Sequence, residues 1–354
     1  MTRKLDLNID VTEAAGIGEP AHVALSVRLP DSAKLPGTPV VCFAKPGGGY
    51  SRGYFTADLP GPAKGAQADW HAERGWIFVS VDHLGVGGSS LHDGPKLDYT
   101  TLAAGAHAAE AEVLARLAAG TLADGFPKVT NPLKIGIGQS MGGCMTVIQQ
   151  GRYHGYDGIG VLGYSAVHTH PPVRPGTTPI VAPWLPRDTL LDQPLVVLNR
   201  QALAEGTPRE AVKAQSGAHP MTWGFHYDDV DPKLAEADLE RFAGGPPPDR
   251  TDAPPPFPWA SLTRPGAVAQ SCLTPGAIAP EAAAVRVPVL VAMGERDVIA
   301  DPRGEARAYL SANSVDFYVC PRMSHMHNFA GTRELFWRRI ETWADWVRAA
   351  GAAG

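Results

Sequence analysis

Residues 133–144 read LKIGIGQSMGGC, an apolar run that ends in Gly138-Gln139-Ser140-Met141-Gly142. Apolar residues on consecutive positions suit a strand buried on both faces of a parallel sheet. The following MGGCMTVIQQGRY has the length and composition of a helix. Strand, sharp turn and helix with serine at the turn is the nucleophile-elbow arrangement, in which small neighbours at 138 and 142 let the serine stand above the sheet edge. The helix behind it aims its first N–H groups at the same point, where negative charge is favoured.

Outward from this stretch the alternation continues. TPVVCFAKPGGGY, GWIFVSVDHLGVGGSS, GIGVLGYS, RVPVLVAMGERD and SVDFYVC read as further strands, and AHVALSVRLP alternates like a half-exposed one. Helix-like segments lie between and after them, TTLAAGAHAAEAEVLARLAAG and GTRELFWRRIETWADWVRAAG among them. This order predicts an α/β fold, doubly wound around a mostly parallel sheet. The rhythm breaks in a proline-rich stretch. TPREAVKAQ and DPKLAEADLERF are helical patches within it, and its aromatics are rare in a solvated linker. The expected organisation is a core over 1–166, an inserted cap over 167–285, and the remainder of the core over 286–354.

Composition narrows the function. The chain of 354 residues has 44% hydrophobic and 19% charged residues and a formal net charge of −5. With no Lys/Arg run, nucleic acid is not an expected partner. No stretch of 18 apolar residues suggests a membrane span, and the N-terminus lacks the apolar core of a secretory signal. The expectation is a cytoplasmic protein acting on a small molecule, with a homodimer left open. Cys42, Cys144, Cys272 and Cys320 form no C-x-x-C pair and read as reduced or buried thiols.

A serine needs a base, and the base needs a carboxylate. Asp297 follows one apolar run, and His325 and His327 follow the next. The order Ser140, Asp297, His325 is the order expected when successive loops at one sheet edge supply a triad. His325 is the expected base, with His327 as the alternative that steadies the loop or touches substrate. Asp301 precedes Pro302 and reads as a helix cap, and Glu295 is a weaker rival acid. An oxyanion hole is expected from the N–H of Met141 and from Gly48 or Gly49 in the Gly47-Gly48-Gly49 run. Candidate pocket walls are Tyr50, Trp184, Trp223, Phe225, His226, Tyr227 and Trp259. His83 and Asp82 read as loop support, and Cys144 as a small core residue. His168 and His170 lack a carboxylate or thiol at ligand spacing, so no metal is expected.

These motifs resemble the α/β-hydrolase superfamily: G-Q-S-M-G around Ser140, P-G-G-G-Y for its H-G-G-G, DHLGVGGSS for its D-x-x-G-x-G-x-S loop, G-E-R-D at Asp297 and S-H at His325. Pro46 departs from the usual histidine. The resemblance implies a serine hydrolase of esters or lactones, without cofactor, whose insertion serves as the cap. More narrowly, FAKPGGGYSRGYF and the overall size resemble bacterial hydrolases that open the macrolactone zearalenone. Acyl transfer, amide hydrolysis and carbon–carbon hydrolysis use the same triad, and a non-catalytic binder shares the fold. Epoxide hydrolases and dehalogenases place a carboxylate at the elbow, where this chain has serine.

Overall fold

The computed structural model describes residues 2–179, 181–187, 195–197, 221–243 and 257–353. Its strands are β1 (Arg3–Asp10), β2 (His22–Leu29), β3 (Val40–Lys45), β4 (Ile77–Val81), β5 (Leu133–Gln139), β6 (Gly158–Leu162), β7 (Leu195–Val197), β8 (Thr263–Pro265), β9 (Val289–Arg296) and β10 (Val315–Ser324). The helices are α1 (Thr12–Ala15), α2 (Gly53–Thr56), α3 (Gln67–Ala72), α4 (Tyr99–Ala119), α5 (Met141–Tyr153), α6 (Thr222–Phe225), α7 (Pro232–Ala243), α8 (Gly266–Leu273), α9 (Ala279–Ala284) and α10 (Arg333–Ala353).

Eight strands form one sheet in the order β1-β2-β4-β3-β5-β6-β9-β10. β1, β2 and β4 pair antiparallel, and every pairing from β4 through β3, β5, β6 and β9 to β10 is parallel. β3, β4 and β6 are buried along their whole length, as consecutive apolar residues require. β5 lies near the centre, so the turn after it opens at the middle of the carboxyl edge. Packing on both sheet faces splits the apolar core in two, one part centred on α4 and α5 and the other on α10.

Three features differ from the sequence expectation. Arg3–Asp10 is an edge strand that charged residues disguise. β2 is buried along nearly its whole length and is not half-exposed, because its polar residues have partners. Arg28 Nε donates to Asp69 at 3.1 Å, and Ser26 bonds Asp6. The helix that Asp301 was expected to cap is only a 3₁₀ segment at Pro302–Arg307, with Asp301 accepting from Gly304 N–H at its start. TPREAVKAQ lies outside the described residues, whereas DPKLAEADLERF falls within α7 apart from its first residue. All four cysteines are buried free thiols.

Two buried polar groups stand out. Lys45, at the end of β3, is fully buried; its Nζ lies 2.5 Å from Glu110 Oε1 and 2.7 Å from Tyr156 Oη. Gln149 Nε2 and Tyr156 Oη donate to the other carboxylate oxygen. This network pins the end of β3 to α4 and α5. Removing one partner of a buried pair costs about 3–5 kcal/mol, because the other charge is stranded. Glu110→Ala is therefore expected to lower unfolding free energy by about 3 kcal/mol in urea titration, and the Lys45→Met/Glu110→Leu pair by less.

His71 is different. Its ring stacks at 4.4 Å on Trp76 and 5.6 Å on Phe78, and neither nitrogen has a hydrogen-bond partner among the described residues. Burial pushes its pKa down to about 3. The unfolded chain, with a histidine pKa of roughly 6.5, takes up the proton first. The contribution of neutral His71 is thus complete above about pH 6.5 and falls away on acidification toward the folded value. His71→Phe is expected to flatten the pH dependence of stability between about pH 6.5 and 4, as measured by urea midpoints.

Candidate active site

The turn after β5 is set by close packing. A Cβ on Gly142 would lie 2.0 Å from the carbonyl oxygen of Lys45, and one on Gly138 would lie 2.0 Å from that of Gly142. Neither clash can be relieved by a side-chain rotation, because both obstacles are backbone. Ser140 takes φ 54°, ψ −120°, a conformation a non-glycine residue adopts only where its surroundings impose it. Its N–H donates to Leu162 O on β6 at 2.8 Å, and its carbonyl accepts from Cys144 N–H inside α5.

The Gly47–Gly49 loop packs on this turn. A Cβ on Gly47 would lie 3.2 Å from Ser140 Cβ, and one on Gly48 would lie 3.6 Å from Met141 Sδ. Among the described residues the N–H groups of Gly48 and Met141 donate no hydrogen bond. The Gly49 carbonyl accepts from Ser261 N–H at 2.9 Å. The Pro46 carbonyl is held by His83 Nε2 at 3.0 Å, and burial lowers the His83 pKa to about 4, so a neutral ring donates there. Asp82 is buried and accepts from the N–H groups of Arg52 and Gly88 and from the Arg52 guanidinium.

Asp297 stands just past β9 with every lone pair engaged. Oδ1 accepts from His325 Nδ1 and Val298 N–H, both at 2.7 Å. Oδ2 accepts from His327 Nε2 at 2.7 Å and Gly294 N–H at 2.9 Å. Burial alone would raise the carboxyl pKa, but the two imidazoles hold it far below the usual carboxylate range. Because the carboxylate only accepts, His325 carries its proton on Nδ1 and leaves Nε2 free to accept. His327 carries its proton on Nε2, and its Nδ1 is buried without a partner among the described residues. Burial lowers the His327 pKa despite the carboxylate. Both candidate bases therefore share one acid through opposite ring nitrogens.

His325 Nε2 lies 3.4 Å from Gln139 Nε2, whose amide also donates to His325 O at 3.0 Å. Ser140 Oγ makes no hydrogen bond to His325 among the described residues; such contacts commonly tighten only with substrate bound. Gln139 escaped the sequence reading, although a polar residue closing the apolar run directly before the serine was a signal.

The rival acids are engaged elsewhere: Glu295 accepts from Tyr227 Oη and Arg322 N–H, and Asp301 caps its 3₁₀ turn. The expected pocket walls separate. Phe225 lies 4.9 Å from the His325 ring. Tyr50 Oη, His226 Nε2 and Trp259 Nε1 all bond the buried carboxylate of Asp238. Trp223 and Tyr227 lie against the Arg296 guanidinium. Trp184 is 72% exposed and rests on Gly276. A surface cavity of about 760 Å³ opens near Arg52 and Ser261 but includes none of Ser140, Asp297 and His325. The His168 and His170 rings lie 3.9 Å apart, and no group of three possible metal ligands occurs among the described residues.

No protein-family model and no curated protein matches the chain. Solved structures do. An esterase from Thermogutta terrifontis superposes with TM-score 0.53 at 15% identity, over 96% of this chain and 99% of that one. The enol-lactonase from Burkholderia xenovorans LB400 gives 0.51 at 14%, over 93% and 96%. A haloalkane dehalogenase loop variant from Bradyrhizobium elkanii gives 0.54 at 13%, over 99% of each. The likeness is one of fold: the chain has the α/β-hydrolase fold. No helix among the described residues is long and apolar enough to cross a membrane.

Asp297→Asn is expected to lower turnover by roughly 10³–10⁴-fold, because an amide that also donates cannot keep His325 in the required tautomer. The folded carboxyl sits below its unfolded value of roughly 3.9, so its contribution to stability is present above about pH 4 and declines on further acidification. Urea titrations at pH 3.5 and 7 should thus separate wild type from Asp297→Asn more at the higher pH.

Proposed function

We propose that the chain is a serine hydrolase of carboxylic esters or lactones. The observation that carries this reading is the strained Ser140, packed against the Gly47–Gly49 loop, with the His325–Asp297 pair just past β9 and β10 at the same edge of the sheet. Ser140 Oγ attacks the carbonyl carbon while His325 Nε2 takes its proton. The negative charge on the former carbonyl oxygen is met by the N–H groups of Met141 and Gly48. His325 returns the proton to the leaving alcohol, leaving an acyl group on Ser140. Water, deprotonated by the same nitrogen, then releases the acid. Asp297 stays ionised and steadies the imidazolium, and His327 fixes the second carboxylate oxygen so that the first keeps its aim.

The inserted residues 167–285 serve as the cap in this reading. Support comes from α6, which seats Phe225 on His325 and bonds the loop carrying it through Gly224 O and Phe225 O. A bulky ring-bearing substrate, such as the macrolactone zearalenone, is the finer reading. It rests on Phe225 and on the likeness of residues 43–55, because Tyr50, His226 and Trp259 are committed to Asp238.

The test is labelling with a fluorophosphonate, followed by hydrolysis of alkyl esters, aryl esters and macrolactones. Wild type should label and Ser140→Ala should not; an unlabelled wild type would reject the reading in favour of a non-catalytic binder. Ser140→Ala should lose at least about 10³-fold in turnover with its fold intact by circular dichroism. His325→Ala should lose about as much as Ser140→Ala, and His327→Ala roughly 10- to 100-fold. The opposite ranking would make His327 the base.

A further inference from the structure

Arg264 carries a charge that the described residues leave unmatched. It sits in β8, whose backbone pairs with β7 through Val196 and whose Thr263 side chain donates to Gly85 O at 2.6 Å. Its Cδ is 3.8 Å from the point where a Cβ on Gly48 would lie, a point also 3.6 Å from Met141 Sδ. Arg264 therefore packs against Gly48, next to the side chain of Met141. Its Nε is buried without a hydrogen-bond partner, and no carboxylate pairs with it among the described residues. The other sequestered arginines are matched: Arg28 by Asp69, Arg52 by Asp82, Arg152 by Glu281 and Arg333 by Asp58. Burial presses the Arg264 pKa down, and the nearby Cys272 only partly opposes this. A guanidinium nevertheless keeps its proton in a protein, so the site retains its positive charge.

Arg264 is half-buried, and a guanidinium whose buried Nε has no partner has donors left to offer a ligand. The guanidinium fork matches a carboxylate, to which it offers two parallel N–H groups. We propose that Arg264 is an anion subsite beside the oxyanion hole, and that the substrate is an ester or lactone bearing a carboxylate within a few bonds of its scissile carbonyl. The substrate class rests on the hydrolase reading above; the anion subsite does not.

The experiment has two arms. In the first, wild type, Arg264→Gln and Arg264→Lys are compared on p-nitrophenyl hydrogen succinate and its neutral analogue p-nitrophenyl pentanoate. Wild type should favour the carboxylated ester in kcat/KM. The ratio of the two kcat/KM values should fall by roughly 10- to 100-fold in Arg264→Gln and less in Arg264→Lys, the range expected for hydrogen bonds to a charged group. A wild type with no preference overturns the proposal without recourse to any variant. So does a ratio that Arg264→Gln changes by less than about threefold, including an equal loss on both esters, which would assign the charge to the oxyanion itself.

In the second arm, succinate binding to Ser140→Ala and to Ser140→Ala/Arg264→Gln is measured by calorimetry, with no turnover required. Loss of Arg264 should weaken binding by at least about tenfold, and equal affinities overturn the subsite. Succinate that binds through Arg264 in a protein that cleaves neither ester would reject the hydrolase reading and keep the subsite. Cleavage of both esters without preference would do the reverse.

Discussion

The site depends on backbone meeting backbone at the centre of the sheet edge. Gly138 and Gly142 bring the end of β5, the first turn of α5 and the carbonyl of Lys45 into contact, with no room for a methyl group at either position. This contact forces Ser140 into its strained conformation, and it also fixes where the Gly47–Gly49 loop leaves β3. In the proposed reading, nucleophile and oxyanion donors therefore belong to one rigid block, which is the condition under which pre-aimed dipoles are effective. Lys45 fastens the same strand end from the other side through Glu110 and Tyr156. A buried charge at that position makes sense as an anchor for the loop that follows.

Asp297 is the second fixed point, and it is held differently. The elbow is defined by what cannot fit, the acid by what it must accept. Four donors converge on two oxygens, two from the backbone and two from imidazoles. Removing His327 would leave one oxygen short of a donor in a buried place, so the second histidine belongs to the environment of Asp297 even though it lies farther along the chain than His325.

Local chemistry made much of this legible. Consecutive apolar residues in VVCFAK, LKIGIGQ and VLVAMGER marked strands buried on both faces, and small residues around Ser140 marked the elbow. The chain order of Ser140, Asp297 and His325 pointed to one sheet edge. Partnerships across long sequence separations were hidden, because spacing does not encode them. Nothing near Asp238 announces that Tyr50, 188 residues away, donates to it, so aromatics read as pocket walls turn out to be fasteners. The choice between His325 and His327 was posed as one ring against another, whereas both bond the same carboxylate. β1 was missed because an edge strand tolerates charges that a central one does not, and Arg264 because a lone arginine has no signature until its lack of a carboxylate is visible.

The seating of α6 has a thermodynamic side. The N–H groups of His325 and Met326 donate to Gly224 O and Phe225 O, and the Phe225 ring covers the His325 imidazole. The alignment of the imidazole is thus set in part from outside the sheet, by residues of α6. Docking of α6 and ordering of the histidine loop are reciprocal equilibria: whatever favours one favours the other by the same free energy. Contacts made to the outer surface of α6 would then be felt as a change in the fraction of molecules whose His325 ring is aligned on Asp297, without touching either side chain.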